Sequence, residues 1–353
     1  MASPAPPPHS APVARVPTHD GAMLSQLVGQ PTARDTLLRA IASDHVHSAY
    51  LFDGPAGVGK TFAAAGLAQA LLCASPHPTS RQACGACPSC VRIASWNATA
   101  ADPTKQTLTK HPDLVILGRA LYAPESIGRR TPETQEISID QVRTLVLSKL
   151  SFAPHEGRAR VFMICDADEL SNGAANALLK TLEEPHRQTY FILLTSRPGT
   201  LLSTIRSRTS RVRFGPLPRA VLTDLLQKRG VTDAEAIARR SSGSLATAQE
   251  LGDPTAHAAR DNFVQRAKTA VAAPSAFEAL QLAEENKKEK DALQRHLRSF
   301  ACAVAEETSA ANDPARSARA FSRILRAVDD IDRNVAAQLA TESLFLDLRR
   351  DAP

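Results

Sequence analysis

The stretch "AYLFDGPAGVGKTFAAAGLAQALLCA", Ala49 to Ala74, decides the fold. It begins with a short apolar run around Tyr50 to Phe52, passes through Gly54-Pro55-Ala56-Gly57-Val58-Gly59-Lys60-Thr61, and continues into a helical pattern. This is G-x-x-x-x-G-K-T in a strand, loop and helix setting, the arrangement a phosphate cradle needs. Glycines let successive backbone N–H groups turn inward on the phosphates, and the helix N-terminus adds a favourable dipole. Lys60 is placed to reach the outer phosphates, and the Thr61 hydroxyl to ligand Mg²⁺. A plain glycine turn before a helix would need neither side chain. ATP or ADP with Mg²⁺ is therefore the expected ligand, and whether it is hydrolysed is a separate question.

Immediately after this helix come Cys73, Cys84, Cys87 and Cys90, spaced C-x10-C-x2-C-x2-C. Two overlapping C-x2-C turns bring thiolates together and Cys73 supplies a fourth, which suits a closed, structural tetrahedral Zn²⁺ site. Four reduced thiols in a loop, or a redox pair, are the alternatives. Cys165 and Cys302 lie in apolar stretches and are expected to be packed.

Further along, "HPDLVIL" reads as a strand from Asp113 to Leu117, and "ISIDQVRTLVLSKLSF" has helical spacing, while Asn97 to Thr109 and Gly118 to Glu136 read as irregular. "ARVFMICDA" and "TYFILLTS" are short continuous apolar runs, the pattern of parallel strands covered on both faces, and "SNGAANALLKTLEEP" between them is a helix ended by Pro185. The chain therefore reads as α/β with a parallel sheet. From Pro216 onward it is helical, with Gly230 and Gly243 as helix ends.

With 353 residues the chain suits two or three domains. No run approaches eighteen apolar residues, and "MASPAPPPHSAPVARVPTHDG" carries six prolines and no apolar core of a signal. A disordered Pro-rich tail on a cytoplasmic protein, with no membrane partner, is expected. The formal net charge of +6 permits contact with phosphate backbones, but 4% aromatic residues are too few for base-stacking platforms. A nucleic-acid module built on the zinc element would need Lys, Arg or aromatic runs around the cysteines, and these are missing.

Together these residues resemble a known family, the clamp-loader subunits of bacterial DNA polymerase III in the AAA+ class, and most closely those of delta-prime type. The pieces that carry the resemblance are "LVGQ" at Leu27 to Gln30, "HSAYLFDGPAGVGKT" at His47 to Thr61, the four cysteines, "HPDL" at His111 to Leu114, "ISIDQVR" at Ile137 to Arg143, "AANALLKTLEEP" at Ala174 to Pro185 and "TIRSR" at Thr204 to Arg208. They run in the family's order over about two thirds of the chain. The resemblance implies a P-loop AAA+ parallel-sheet domain over 21–215 with a zinc-binding insertion over 73–102. It further implies a small helical lid over 216–255 and an all-α collar over 256–353, behind the tail over 1–20. It also implies partners: gamma/tau and delta types in a hetero-pentameric ring, a sliding clamp, and primed DNA reached through the complex.

The departures from the family matter most for the chemistry. In the register of active loaders the magnesium-organising carboxylate falls on Cys165 and the water-activating one on Asp166. A thiol is a poor replacement for the hard oxygen Mg²⁺ prefers. The apolar pattern alone would instead stop at Cys165, taking Asp166 as the Mg²⁺ acid and Asp168 or Glu169 as base. In "SSGSLATAQEL" the position of the family's sensor arginine falls on Ala246, with Arg239 and Arg240 a turn or two earlier on an expected solvated face. Thr195 resembles the polar sensor at its strand end. Ser207-Arg208 resembles the pair whose arginine enters the ATP site of the neighbouring subunit, with Thr209 where the family usually has Cys. On charge alone Arg206, Arg208, Arg211 and Arg213 are a basic stretch, and only the family position singles out Arg208. The expectation is thus a subunit that binds nucleotide weakly or statically and supplies an arginine in trans. The alternative is an active gamma/tau-type ATPase.

Overall fold

The computed structural model describes residues 21–95, 111–119, 121–122, 136–156, 158–287, 290–308, 314–332 and 335–350. The Pro-rich tail, the end of the zinc insertion, the polar stretch Asn97 to Thr109 and most of Gly118 to Glu136 lie outside them. The chain divides into two compact units, Met1–Ala248 and Gln249–Pro353.

In the first unit, α1 (Pro31–Ala42) precedes β1 (Ala49–Asp53), and α2 (Lys60–Leu72) follows the glycine loop. Next come α3 (Pro88–Ala94), β2 (Leu114–Leu117), α4 (Ile139–Val142) and α5 (Ser148–Leu150), the last two joined by a π-helical turn, Arg143–Leu147. Then follow β3 (Arg160–Ile164), α6 (Asn172–Glu183), β4 (Thr189–Thr195), α7 (Ser203–Arg206) and β5 (Ser210–Arg213). The strands pair in the order β2-β3-β4-β1-β5, and every pairing is parallel.

A parallel sheet covered on both faces must alternate its side chains between two cores. Tyr50, Phe52, Val161 and Met163 enter a core with α1 and α2, whereas Ala49, Leu51, Phe162 and Ile164 enter a second with α6. Phe162 stacks on Phe191 with ring centroids 5.1 Å apart. Local chemistry starts the helices as well. Ser138 and Gln141 close a reciprocal capping box at α4, and the Ser171 hydroxyl accepts from Ala174 N–H at α6.

Buried Asp113 ties the sheet to the loop before β3, accepting backbone N–H groups from His155 at 2.7 Å and Glu156 at 2.8 Å. The loop is tied from the other side by Arg160, whose guanidinium donates to the carbonyls of Lys149, Phe152 and Ala153.

After Phe214 the chain turns helical, with α8 (Arg219–Gln227), α9 (Ala234–Arg240) and α10 (Leu245–Gly252). Leu217, Leu222, Leu226, Ala234, Ala238 and Ala248 form a small core of their own. Gly230 and Gly243 both take positive φ just beyond helix ends, as their sequence positions imply.

The second unit contains α11 (Pro254–Ala272), α12 (Phe277–Asn286), α13 (Lys290–Thr308), α14 (Pro314–Asp332) and α15 (Ala337–Arg350). Phe263, Leu282, Leu297, Phe300, Ile331 and Phe345 meet at its centre. Along α14 and just beyond it, Val328 and Ile331 are buried, whereas Leu325 and Val335 are exposed. Cys302 is also exposed, contrary to the packed position expected from its apolar neighbours in sequence. No described helix is long and apolar enough to cross a membrane.

Candidate functional site

The glycine loop leaves β1 at Asp53 and enters α2 at Lys60, so it sits at the C-terminal end of the sheet, where ligands of open α/β sheets bind. The lysine is folded inward, its Nζ donating to Gly54 O at 2.5 Å and Pro55 O at 2.6 Å. Burial lowers its pKa, while the charges of Asp166, Asp168 and Asp53 pull it back up. Asp53 is itself held by the Arg211 guanidinium, through Nε at 2.8 Å and Nη2 at 2.5 Å. Thr61 follows Lys60 in the first turn of α2 and is half-buried.

The segment beyond β3 resolves the geometry of "CDADE". Cys165 extends the ladder by donating its N–H to Leu117 O at 2.8 Å, and burial pushes its thiol up to about 12. At neutral pH it is an uncharged, soft group, unsuited to Mg²⁺. Asp166 comes next, in a left-handed conformation at φ 51°. Its side chain reaches solvent, and among the described residues its carboxylate has no hydrogen-bond partner. Even so, the protein packed around it and the nearby Asp168 raise its pKa, against the pull of Lys60, Arg119 and Arg197.

Asp168, with a side chain only 2% exposed, accepts from Thr195 Oγ1 at 2.6 Å and Arg197 Nε at 2.8 Å. The hydroxyl that resembles the family's sensor is therefore spent on an internal acid. Glu169 lies 3.5 Å from Arg119 Nε, yet burial, reinforced by Asp166 and Asp168, raises its carboxyl to about 7.

The start of α10 packs on this loop. Leu245 N–H donates to Gly57 O at 2.9 Å. At Gly57, whose φ is +72°, an added Cβ would lie 2.7 Å from Ala246 N and 2.8 Å from Ala246 Cβ, so only glycine fits there. Position 246 thus abuts the cradle and brings no cation to it, while Arg239 and Arg240 are exposed on α9. One residue that the sequence shows only as part of "LVGQ" ties the loop to the chain beyond β5. Buried Gln30 donates from Nε2 to Val58 O at 3.2 Å and Gly215 O at 2.6 Å, and accepts from Gly215 N–H at 3.2 Å.

Arg208 lies at the other end of the same sheet. It precedes β5, whose Ser210 pairs with Tyr50, whereas the glycine loop follows Asp53, paired with Arg213. Arg208 lines an open cavity of about 730 Å³ together with His47, Ser48, Glu183, Thr209 and Ser210. The structure therefore keeps Arg208 away from its own phosphate cradle. Arg211, a neighbour in the same basic stretch, is committed to Asp53.

The four cysteines converge as their spacing implies. Their sulfurs all lie within 4.8 Å of one another, with Cys73 to Cys87 and Cys84 to Cys90 both at 3.9 Å. A tetrahedron with metal–sulfur arms of about 2.3 Å has edges near this length. Backbone N–H groups of Cys84, Cys87 and Cys90 point at the sulfurs of Cys73, Cys84 and Cys87. The donor set thus fits Zn²⁺.

The family profile described as "DNA polymerase III, delta subunit" matches residues 29–218, more than half of the chain. The delta-prime subunit of DNA polymerase III from Pseudomonas aeruginosa is 36% identical over 216 residues, covering 59% of this chain and 56% of its own length. That from Bacillus subtilis is 32% identical over 203 residues, covering 58% and 53%. The gamma/tau subunit from Mycobacterium tuberculosis is 34% identical over 220 residues, covering 61% of this chain and 33% of its own. The chain thus spans about half the length of these delta-prime relatives and a third of the gamma/tau one. With the parallel sheet, the glycine loop and the family profile in agreement, the chain belongs to the DNA polymerase III delta-subunit family.

Proposed function

We propose that this chain works as a delta-prime-type subunit of a clamp loader, which holds nucleotide weakly or statically and supplies Arg208 to the ATP site of a neighbouring subunit. The observation that carries this reading is the polarity of the sheet. Arg208 sits beyond the N-terminal end of β5, facing an open cavity, while the chain's own cradle lies at the C-terminal end of β1. A guanidinium so placed serves a site on another chain, where it neutralises charge that develops on the transferring phosphoryl group.

The chain's own cradle supports the other half of the reading. Cys165 stands at the magnesium position of the family register, Ala246 stands at the sensor-arginine position, and the Thr195 hydroxyl is bonded to Asp168. Gly54 to Thr61 would hold the phosphates, Lys60 and Thr61 supplying the side-chain contacts and Mg²⁺ the charge neutralisation. Asp166 would then be the remnant of the catalytic acid pair. Cys73, Cys84, Cys87 and Cys90 would hold a structural Zn²⁺ that fixes the insertion and takes no part in turnover. Neighbours of gamma/tau and delta types, a sliding clamp and primed DNA complete the proposed setting.

The test is DNA- and clamp-stimulated ATP hydrolysis by the reconstituted loader, with Arg208→Ala or Lys60→Ala confined to this chain. The expected result is loss of one neighbouring site's turnover with the arginine variant and wild-type turnover with the lysine variant. The reverse result would assign the chain to the gamma/tau-type ATPases, a reading that intact Lys60 and Thr61 favour.

A further inference from the structure

The last turn of α6 breaks a local rule of helix electrostatics. Glu183 is its final residue and Glu184 its C-cap, so two carboxylates sit where the helix dipole disfavours negative charge. Such exceptions mark places where function outweighs local stability. Glu183 points at Arg208. Its Oε1 lies 2.5 Å from Arg208 Nη2, and the two side chains are 46% and 34% exposed.

The other contacts of Arg208 explain what this pairing does. Nη1 donates to Thr204 O at 3.0 Å and to Ser207 Oγ at 3.3 Å, both within its own turn. Nε is buried without a hydrogen-bond partner among the described residues. Among the described residues, the carboxylate of Glu183 is therefore the one polar contact that reaches the guanidinium from beyond its own turn, and Glu183 lines the same cavity of about 730 Å³. A long side chain with several free torsions is costly to hold in one rotamer, and a carboxylate on a rigid helix end restricts it before any anion arrives.

We infer that Glu183 is a positioning residue for Arg208: it orients the guanidinium toward the cavity so that the polyphosphate of a neighbouring chain's nucleotide meets a preformed donor. This rests on the reading of Arg208 as a trans-acting group. Glu183 touches no reacting atom itself.

The test is a double-mutant cycle in the reconstituted loader, reading kcat and KM for ATP separately. Glu183→Ala is expected to lower kcat roughly two- to fivefold, the coupling of a half-exposed ion pair, with KM unchanged. Glu183→Gln, which keeps an acceptor oxygen, is expected to recover most of that loss. Glu183→Ala combined with Arg208→Ala should be no slower than Arg208→Ala alone. Wild-type kcat in Glu183→Ala, or a further loss when it is added to Arg208→Ala, would overturn the inference while leaving the trans reading in place. Wild-type turnover in Arg208→Ala would instead sink the trans reading itself. Should Glu183→Ala lower the melting temperature of the chain, the Gln variant and the cycle still decide.

Discussion

The two ends of the β-sheet have been treated differently. At the C-terminal end most polar groups are satisfied within the chain, Lys60 by its own loop, Asp53 by Arg211, Thr195 by Asp168 and Gly57 by α10, while the exposed Asp166 carboxylate has no hydrogen-bond partner among the described residues. At the N-terminal end Arg208 lines open space, its Nη atoms held by Thr204, Ser207 and Glu183 and its buried Nε without a partner among the described residues. An active site is ordinarily the end with unspent groups, because catalysis needs donors and acids that the substrate, and not the protein, will satisfy.

The comparison breaks most visibly if both ends are disabled in turn. Arg208→Ala should lower hydrolysis at the one neighbouring site by roughly a thousandfold, whereas Lys60→Ala should stay within about twofold, both read from single-turnover hydrolysis in the reconstituted complex. A large loss in the lysine variant would show that the C-terminal end is not spent.

A substitution in the shared middle should fail both ends together. Phe162 is fully buried and stacked on Phe191, so Phe162→Ala is expected to cost about 3–5 kcal/mol in denaturant unfolding. Retained arginine donation in a destabilised sheet would mean that the N-terminal end is held by its turn alone.

Glu169 sharpens the comparison through pH. Its carboxyl is raised from 4.5 to about 7 by burial. Below about pH 4.5 it is protonated in both states and carries no penalty. As pH rises toward 7 the unfolded chain releases the proton while the folded chain resists, so stability is lost across that window, by about 2–3 kcal/mol. Glu169→Gln should flatten that decline in urea midpoints measured at pH 5 and pH 8 (about one unit outside the transition on the upper side). An unchanged slope would show that Glu169 ionises freely.

The smallest effect is expected at Thr195. Because its hydroxyl already serves Asp168, Thr195→Val should cost about 1.5 kcal/mol of stability and leave loader turnover unaltered. A loss of turnover would mean that the hydroxyl exchanges Asp168 for nucleotide.

Much of this was legible in the sequence where chemistry is local. The glycine loop, the two-sided apolar runs and the cysteine spacing each carry their meaning within a few residues, and β1, β3, β4 and the sulfur cluster follow from them. What was not legible depends on contacts distant in sequence. Nothing in "DADEL" announces that Asp168 will take Thr195 and Arg197, and nothing in "LVGQ" announces that Gln30 will bridge Val58 to Gly215. Cys302 misled for a related reason, since an apolar run on a helix has an outside as well as an inside, and its phase is set by partners that periodicity does not name.

Because every strand runs the same way, the sheet is a directed object, with a receiving pole and a donating pole. Two copies meeting at their N-terminal poles would set Arg208 against Arg208 and leave both phosphate loops facing outward. A head-to-tail contact instead brings a donating pole to a receiving one, and such contacts either close into a ring or run on as a filament. A ring built on that contact inherits a sense of rotation from the sheet, and the order of its subunits around the circle is not interchangeable with the reverse.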